Sequence, residues 1–204
     1  MAGLRSSIGP RPNSAKPRQA SNSRSISRRA SGRYEALSRV GSSRPQVAMN
    51  LIIWRHADAG DSLEDVKQDL ERSLSERGKK QASRMSRWLD ARLPESFAVV
   101  SSPAQRAVQT AMTLSAKVRP EPRLLPGSSL EEALQAIKID EAHLRKSGHL
   151  VVVGHQPLLG LLMSHLVCGG DACWSLKKGA LWWLQRKDAE PYWQVKAAIG
   201  PDLV

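Results

Sequence analysis

Cysteine is nearly absent from this 204-residue chain, in which Cys168 and Cys173 are the only two. One close pair cannot build a disulfide framework, so the fold must rest on burial, and a reducing compartment is expected. The Cys-x4-Cys spacing suits two zinc ligands, but no second Cys/His pair accompanies it, and ordinary packing or surface thiols are the expectation. Phenylalanine occurs once and tyrosine twice, while the six tryptophans fall at no regular interval. That spread suits packing and surface anchoring better than base stacking. No apolar run reaches the ~18 residues of a membrane span, since "GHQP" interrupts the best candidate, and no signal-peptide core is present. A soluble protein is expected.

Acidic residues are nearly missing from the first quarter of the chain. Residues 1–48 hold ten of the 31 Lys/Arg and one of the 19 acids, Glu35, so most of the net charge of +12 lies there. The segment is rich in Ser, Arg, Pro and Gly without apolar periodicity, and is expected to be a disordered extension. Three readings stand for it: a start-site extension, which Met49 just before the first apolar run favours; a targeting segment; or a basic arm contacting nucleic acid or acidic lipid. Residues 49–204 have room for one domain with an ordinary core.

From Met49 onward, strand-like and helix-like segments alternate. "LIIW" (51–54) and "FAVVSS" (97–102) read as strands. Ala82, Met85, Trp88 and Leu89 recur at helical spacing, which predicts a helix over about 74–93, capped by Ser73-x-x-Glu76 or by Ser75. A second helix is predicted over 104–117 and a short strand at "RLL" (123–125). A third helix follows on Leu130, Ala133, Leu134, Ile137, Glu141 and Leu144. "HLVVVG" (149–154) reads as a central strand covered on both faces. The helix of residues 157–167 is apolar nearly all round and should be buried. The tail reads as two strands joined near Asp188 to Pro191, closing one sheet edge. Such alternation predicts a three-layer α/β/α sandwich with a mostly parallel central sheet and ligands at the carboxyl ends of its strands.

Three of those strand ends carry chemistry. Arg55 and His56 follow the first strand, Arg106 lies in "SSPAQRAVQT" after the second, and His155 lies in "GHQP" after the Val-rich one. Convergence would bring two guanidinium forks, suited to phosphate oxygens, beside a neutral imidazole able to attack phosphorus. This is a phosphoryl-transfer constellation that uses protein cations.

At "RHA", "SPAQRAVQT" and "GHQP" the sequence resembles the histidine phosphatase superfamily, and within it the small SixA-type phosphohistidine phosphatases. The resemblance spans about residues 49–199 and includes "RSLSERGKKQA" and "KKGALWWL". It implies the phosphoglycerate mutase-like fold with a minimal cap. It also implies His56 as nucleophile, with Arg55, Arg106 and His155 binding the phosphoryl oxygens, and no metal or cofactor. Ser102 is a further candidate for substrate contact. Ser101, Gln109 and Thr110 are expected to shape the loop and helix start. His143, His149 and His165 are not expected in the site. Ala57 stands where the signature has glycine, a change expected to be harmless at a close-packed position. The family's loop glutamate has no clear counterpart, so Asp58, Glu131 and Glu132 are the candidate acids. A weak acid restricts substrates to those with an easy leaving group, such as a phosphoramidate.

The expected activity is therefore hydrolysis of phosphohistidine on a protein partner, such as a histidine-containing phosphotransfer domain, in cytoplasmic signal transduction. The alternative is a small phosphate ester or anhydride, and a third reading is a phosphoprotein- or nucleic-acid-binding module working through the basic arm. Neither membrane nor nucleic acid is the expected partner, and a monomer is expected. Organellar targeting by residues 1–48 is the alternative to the cytoplasm.

Overall fold

The computed structural model describes residues 48–139, 144, 147–187 and 190–204. The basic extension therefore lies outside the described residues, apart from Ala48, as do Glu141, His143 and the centre of the predicted tail turn. The Val-rich run forms a strand, His149–Gly154, between two parallel neighbours, Met49–Arg55 and Ala98–Ser101. We number the strands β1 (Met49–Arg55), β2 (Ala98–Ser101), β3 (Val118–Pro120), β4 (His149–Gly154), β5 (Leu181–Arg186) and β6 (Gln194–Ile199). Their order is β3-β2-β4-β1-β5-β6, and β5 runs antiparallel to both of its neighbours. The sheet is thus mostly parallel, with the tail hairpin on one side as expected.

Alternation along the inner strands divides the core into two layers. Leu51 and Ile53 of β1, with Leu150 and Val152 of β4, face one cluster, whereas Ile52, Trp54, Val151 and Val153 face the other. Helices α4 (Leu130–Ile139) and α5 (Leu158–Cys168) cover the first face, while α2 (Glu76–Asp90) and α3 (Gln105–Met112) cover the second. The apolar α5 buries Leu158, Leu159, Leu162 and Met163. No described helix is long and apolar enough to cross a membrane.

Several boundaries differ from expectation for local reasons. Ser75, not Ser73, caps α2, its side chain accepting from the Gly78 N–H. Helix α3 ends at Met112 because its last bonds tighten to three-residue spacing, Thr113 N to Thr110 O and Leu114 N to Ala111 O. "RLL" is not a strand: Pro122–Leu124 form a 3-10 turn, begun by proline and capped by the Glu121 carboxylate, which accepts from Arg123 N. The strand lies just before it as the edge β3, where Pro120 is tolerated. A short helix, α1 (Val66–Glu71), was not expected and buries no side chain. His149 opens β4, as expected of "HLVVVG", and meets Trp183 edge-on at 6.1 Å.

Candidate active site

The carboxyl ends of β1, β2 and β4 are adjacent, so their flanking residues meet. The His56 N–H donates to Gly154 O at 3.0 Å, and Ser102 N donates to Val153 O at 2.9 Å, locking the three exits together. The imidazoles of His56 and His155 stand 4.9 Å apart, centroid to centroid. His56 is only 6 % exposed, His155 3 % and Arg106 4 %. Burial makes each of these charges costly unless a partner is present.

The tautomer of His56 follows from its partner. Its Nδ1 lies 2.8 Å from Ala57 O, a group that only accepts, so Nδ1 carries the hydrogen and Nε2 keeps its lone pair. Desolvation, with Arg106, Arg55 and Arg72 nearby, lowers the His56 pKa to about 4, although the Ala57 hydrogen bond opposes the shift. His155 falls to about 2 from the same burial and from repulsion by His56 and Arg106. Both rings are neutral near pH 7.

The arginines are held by their outer nitrogens. Arg55 donates from Nη1 to Leu176 O at 2.5 Å. Arg106 donates to the Asp69 backbone oxygen at 2.6 Å and pairs with the Asp69 carboxylate at 3.1 Å. Among the described residues, the buried Nε atoms of both arginines and Nδ1 of His155 have no hydrogen-bond partner. Buried polar groups left unpaired in this way suit an anion with several acceptor oxygens.

Ser102 is fully buried, and its hydroxyl meets His155 Nε2 at 2.9 Å. It therefore positions the histidine ring. Thr110 accepts from Ala57 N at 3.0 Å and returns its own hydroxyl to Arg106 O, tying the two loops. Gln109 accepts from Leu74 N at 2.7 Å, and the Ser101 hydroxyl bonds Ser102 O. Ala57 is buried in a small cluster with Ala59, Leu74 and Ala82, a site with room for one methyl group.

The candidate acids are otherwise engaged. Asp58 accepts from Ser75 Oγ at 2.6 Å and from Lys178 Nζ at 2.9 Å, and these bonds bring its pKa to about 2. A carboxyl so firmly ionised has no proton to give near pH 7. Glu132 forms a capping box with Ser129, its carboxylate accepting from Ser129 N at 2.7 Å while Ser129 Oγ accepts from Glu132 N at 3.2 Å. Glu131 lines a separate cavity beside α4 and α5.

Arg72 is the residue that sequence reasoning passes over. It bonds Asp69 through Nε at 3.1 Å and Nη2 at 3.0 Å, and donates from Nη1 to Ala59 O and Gly60 O. Asp69 thus joins two guanidinium groups whose charges both act on His56. The signal was present in "RSLSERG", whose first residue is Arg72. Two glycines close the frame. A side chain on Gly78 would overlap the Asp58 carbonyl, and Gly179, at φ +79, donates its N–H to His56 O at 3.0 Å. Among the described residues, no group of three or more His, Cys, Asp or Glu side chains is arranged to hold a metal ion.

Comparison with known proteins agrees with this geometry. The model of the histidine phosphatase superfamily (branch 1) matches residues 51–133. No curated protein sequence matches the chain. Among solved structures, the protein histidine phosphatase SixA in complex with tungstate superposes with a TM-score of 0.63 at 22 % identity, over 76 % of this chain and 99 % of that one. A SixA from Nakamurella multipartitia, described as a putative phosphohistidine phosphatase, gives 0.63 at 25 % identity, over 76 % and 96 %. A mycobacterial glucosyl-3-phosphoglycerate phosphatase gives 0.60 at 19 % identity, over 74 % and 98 %. The match of residues 51–133, the Arg-His exit from β1, the later Arg and His motifs and this shared architecture support the histidine phosphatase superfamily, and the chain has the fold of the SixA structures.

Proposed function

We propose that the protein is a phosphohistidine phosphatase, removing the phosphoryl group from a histidine on a partner protein. One observation carries the reading: His56 offers an unprotonated Nε2 because Nδ1 is bonded to Ala57 O, and does so among three guanidinium groups. Nε2 attacks phosphorus in line, a new N–P bond forms, and the N–P bond to the partner's imidazole breaks with its electron pair leaving on that ring. Arg55, Arg106 and His155 stabilise the charge on the phosphoryl oxygens. Water then attacks the phosphohistidine on His56, releasing inorganic phosphate and restoring the free ring.

The leaving group follows from the engaged acids. Asp58 is held ionised and Glu132 caps a helix, so neither supplies a strong acid to an alkoxide. An imidazole leaves readily once its second nitrogen takes a proton from solvent, whereas an alkyl ester demands more assistance. A phosphoramidate is the substrate class that makes least demand on such a site. The SixA names of two structural neighbours agree with this choice, while the sugar-phosphate phosphatase among them bears the alternative.

The test compares rates on a phosphohistidine protein, a phosphohistidine peptide, a sugar phosphate and a nucleotide. The two phosphohistidine substrates should lead. Alkaline quenching should trap phosphate on the wild-type enzyme and not on His56→Ala, whose turnover should fall about a thousandfold or more. Undiminished hydrolysis by that variant, or preference for the sugar phosphate, defeats the proposal.

A further inference from the structure

Beside the site lies a groove of about 830 Å³, of whose lining the catalytic chemistry uses only Arg55. Six cations line it: Arg55, Arg77, Lys80, Arg84, Lys177 and Lys178. They come from three separate segments, the end of β1, helix α2 and the loop before β5. Among the described residues only two carboxylates, Asp58 and Asp202, share the walls, and Asp58 is already paired with Lys178 at 2.9 Å. Arg77, Lys80 and Arg84 recur at three- and four-residue spacing, so one face of α2 presents a cationic row about 10 Å long. Glu76, one turn before Lys80, is bonded to Lys79 at 2.6 Å instead.

A row of charges on a helix is ordinarily a solvated face. Here it lines a concavity, and that concavity shares Arg55 with the phosphoryl site. Whatever lies in the groove is therefore adjacent to the reacting group. Arg77, Lys80 and Lys177 are exposed and form no ion pair among the described residues. Like charges kept together without partners repel, and an anionic occupant relieves that repulsion.

The kind of anion follows from the lining. A small-molecule site usually encloses its ligand with apolar walls and a few convergent polar groups, whereas Arg77, Lys80, Arg84 and Lys177 stand on long, exposed side chains. Such groups give little binding energy in water but raise association rates and select partners by charge. That is the behaviour of a surface for brief protein encounters. We infer that this groove docks an acidic surface of the phosphohistidine-bearing partner, next to the phosphorylated ring. The inference rests on the phosphohistidine reading and adds to it a partner of defined charge.

The experiment uses the full chain and three probes: a phosphohistidine peptide flanked by four glutamates, the same peptide flanked by four serines, and free phosphohistidine. At about 0.05 M salt, kcat/KM for the glutamate peptide should exceed that for the serine peptide about tenfold, and the ratio should collapse near 0.5 M. The Arg77→Glu/Lys80→Glu/Lys177→Glu variant should lower the rate on the glutamate peptide about tenfold or more while sparing free phosphohistidine, which also reports that the variant folds. The neutral Gln triple variant should fall between. Equal rates on both peptides, or an equal loss on all three probes, would each overturn the docking surface. Turnover of no phosphohistidine probe by wild type sinks the substrate reading, and this inference with it.

Discussion

Arg106 is held at both ends of one residue: its Nη1 donates to the Asp69 backbone oxygen at 2.6 Å, and its Nη2 pairs with the Asp69 carboxylate at 3.1 Å. The same carboxylate holds Arg72, so one acid orients two of the guanidinium groups around His56. Asp69 does not act on phosphorus; it is a positioning residue. Asp69→Asn keeps the backbone contact and the side-chain volume but removes the charge that spaces the two cations. The expected result is a fall in kcat/KM of about tenfold or more with a Tm change of only a few degrees. Rescue should be better with Arg72→Gln added, because removing the second cation relieves the repulsion that Asp69 had offset. A double variant no better than the single one would refute the shared-acid account.

Gly78 ties helix α2 to the loop that presents His56. Its amide donates to Ser75 Oγ at 3.0 Å, while Ser75 N donates to Asp58 O at 3.0 Å and Ser75 Oγ to the Asp58 carboxylate. The Asp58 carbonyl occupies the space that a Cβ on Gly78 would need. Gly78→Ala must therefore push the 56–58 segment away from α2, not merely stiffen a helix. Kinetics separate the two effects: kcat should fall at least about tenfold, although alanine has the better helix propensity by ~1 kcal/mol. A stabilised and fully active Gly78→Ala enzyme would show that the loop yields freely.

The legible parts of this molecule were those written in side-chain periodicity or in local motifs. Leu51 to Trp54 and Leu150 to Val153 alternate between two buried layers, so their apolar runs announced inner strands. Arg55, His56, Arg106 and His155 were visible because each sits just past such a strand or in a dense motif. Helix α1 was invisible because it buries nothing: its content is one capping bond, Gln68 N to Asp65, and the pairing of Asp69. Asp69 and Arg72 went unseen with it. The partner of Asp58 was equally hidden, since Lys178 lies 120 positions away and only the closed sheet brings them together. Ser102 was legible as a site residue because its hydroxyl follows a strand end, but its bond to His155, 53 positions away, was not.

Acid sensitivity should come from the two site histidines. Native His56 titrates at about 4 and His155 at about 2, against about 6.5 in the unfolded chain. Between those values the unfolded state takes up protons that the native state refuses, so stability falls as pH drops below 6.5 and goes on falling until the native pKa is reached. At pH 5 each ring accounts for a loss of about 2 kcal/mol. The ionised carboxylates Asp58 and Asp69, whose pKa values are also lowered, contribute in the same direction but only at lower pH, near the ordinary carboxylate range. Urea unfolding at pH 7.5 and pH 5 separates these terms. His155→Asn, which can keep a hydrogen bond to Ser102, should lose about 2 kcal/mol less than wild type across that interval. An identical loss in both proteins would mean that His155 titrates normally in the native state. The site would then lack the buried, cation-flanked pair of neutral rings on which the nucleophilic role of His56 depends.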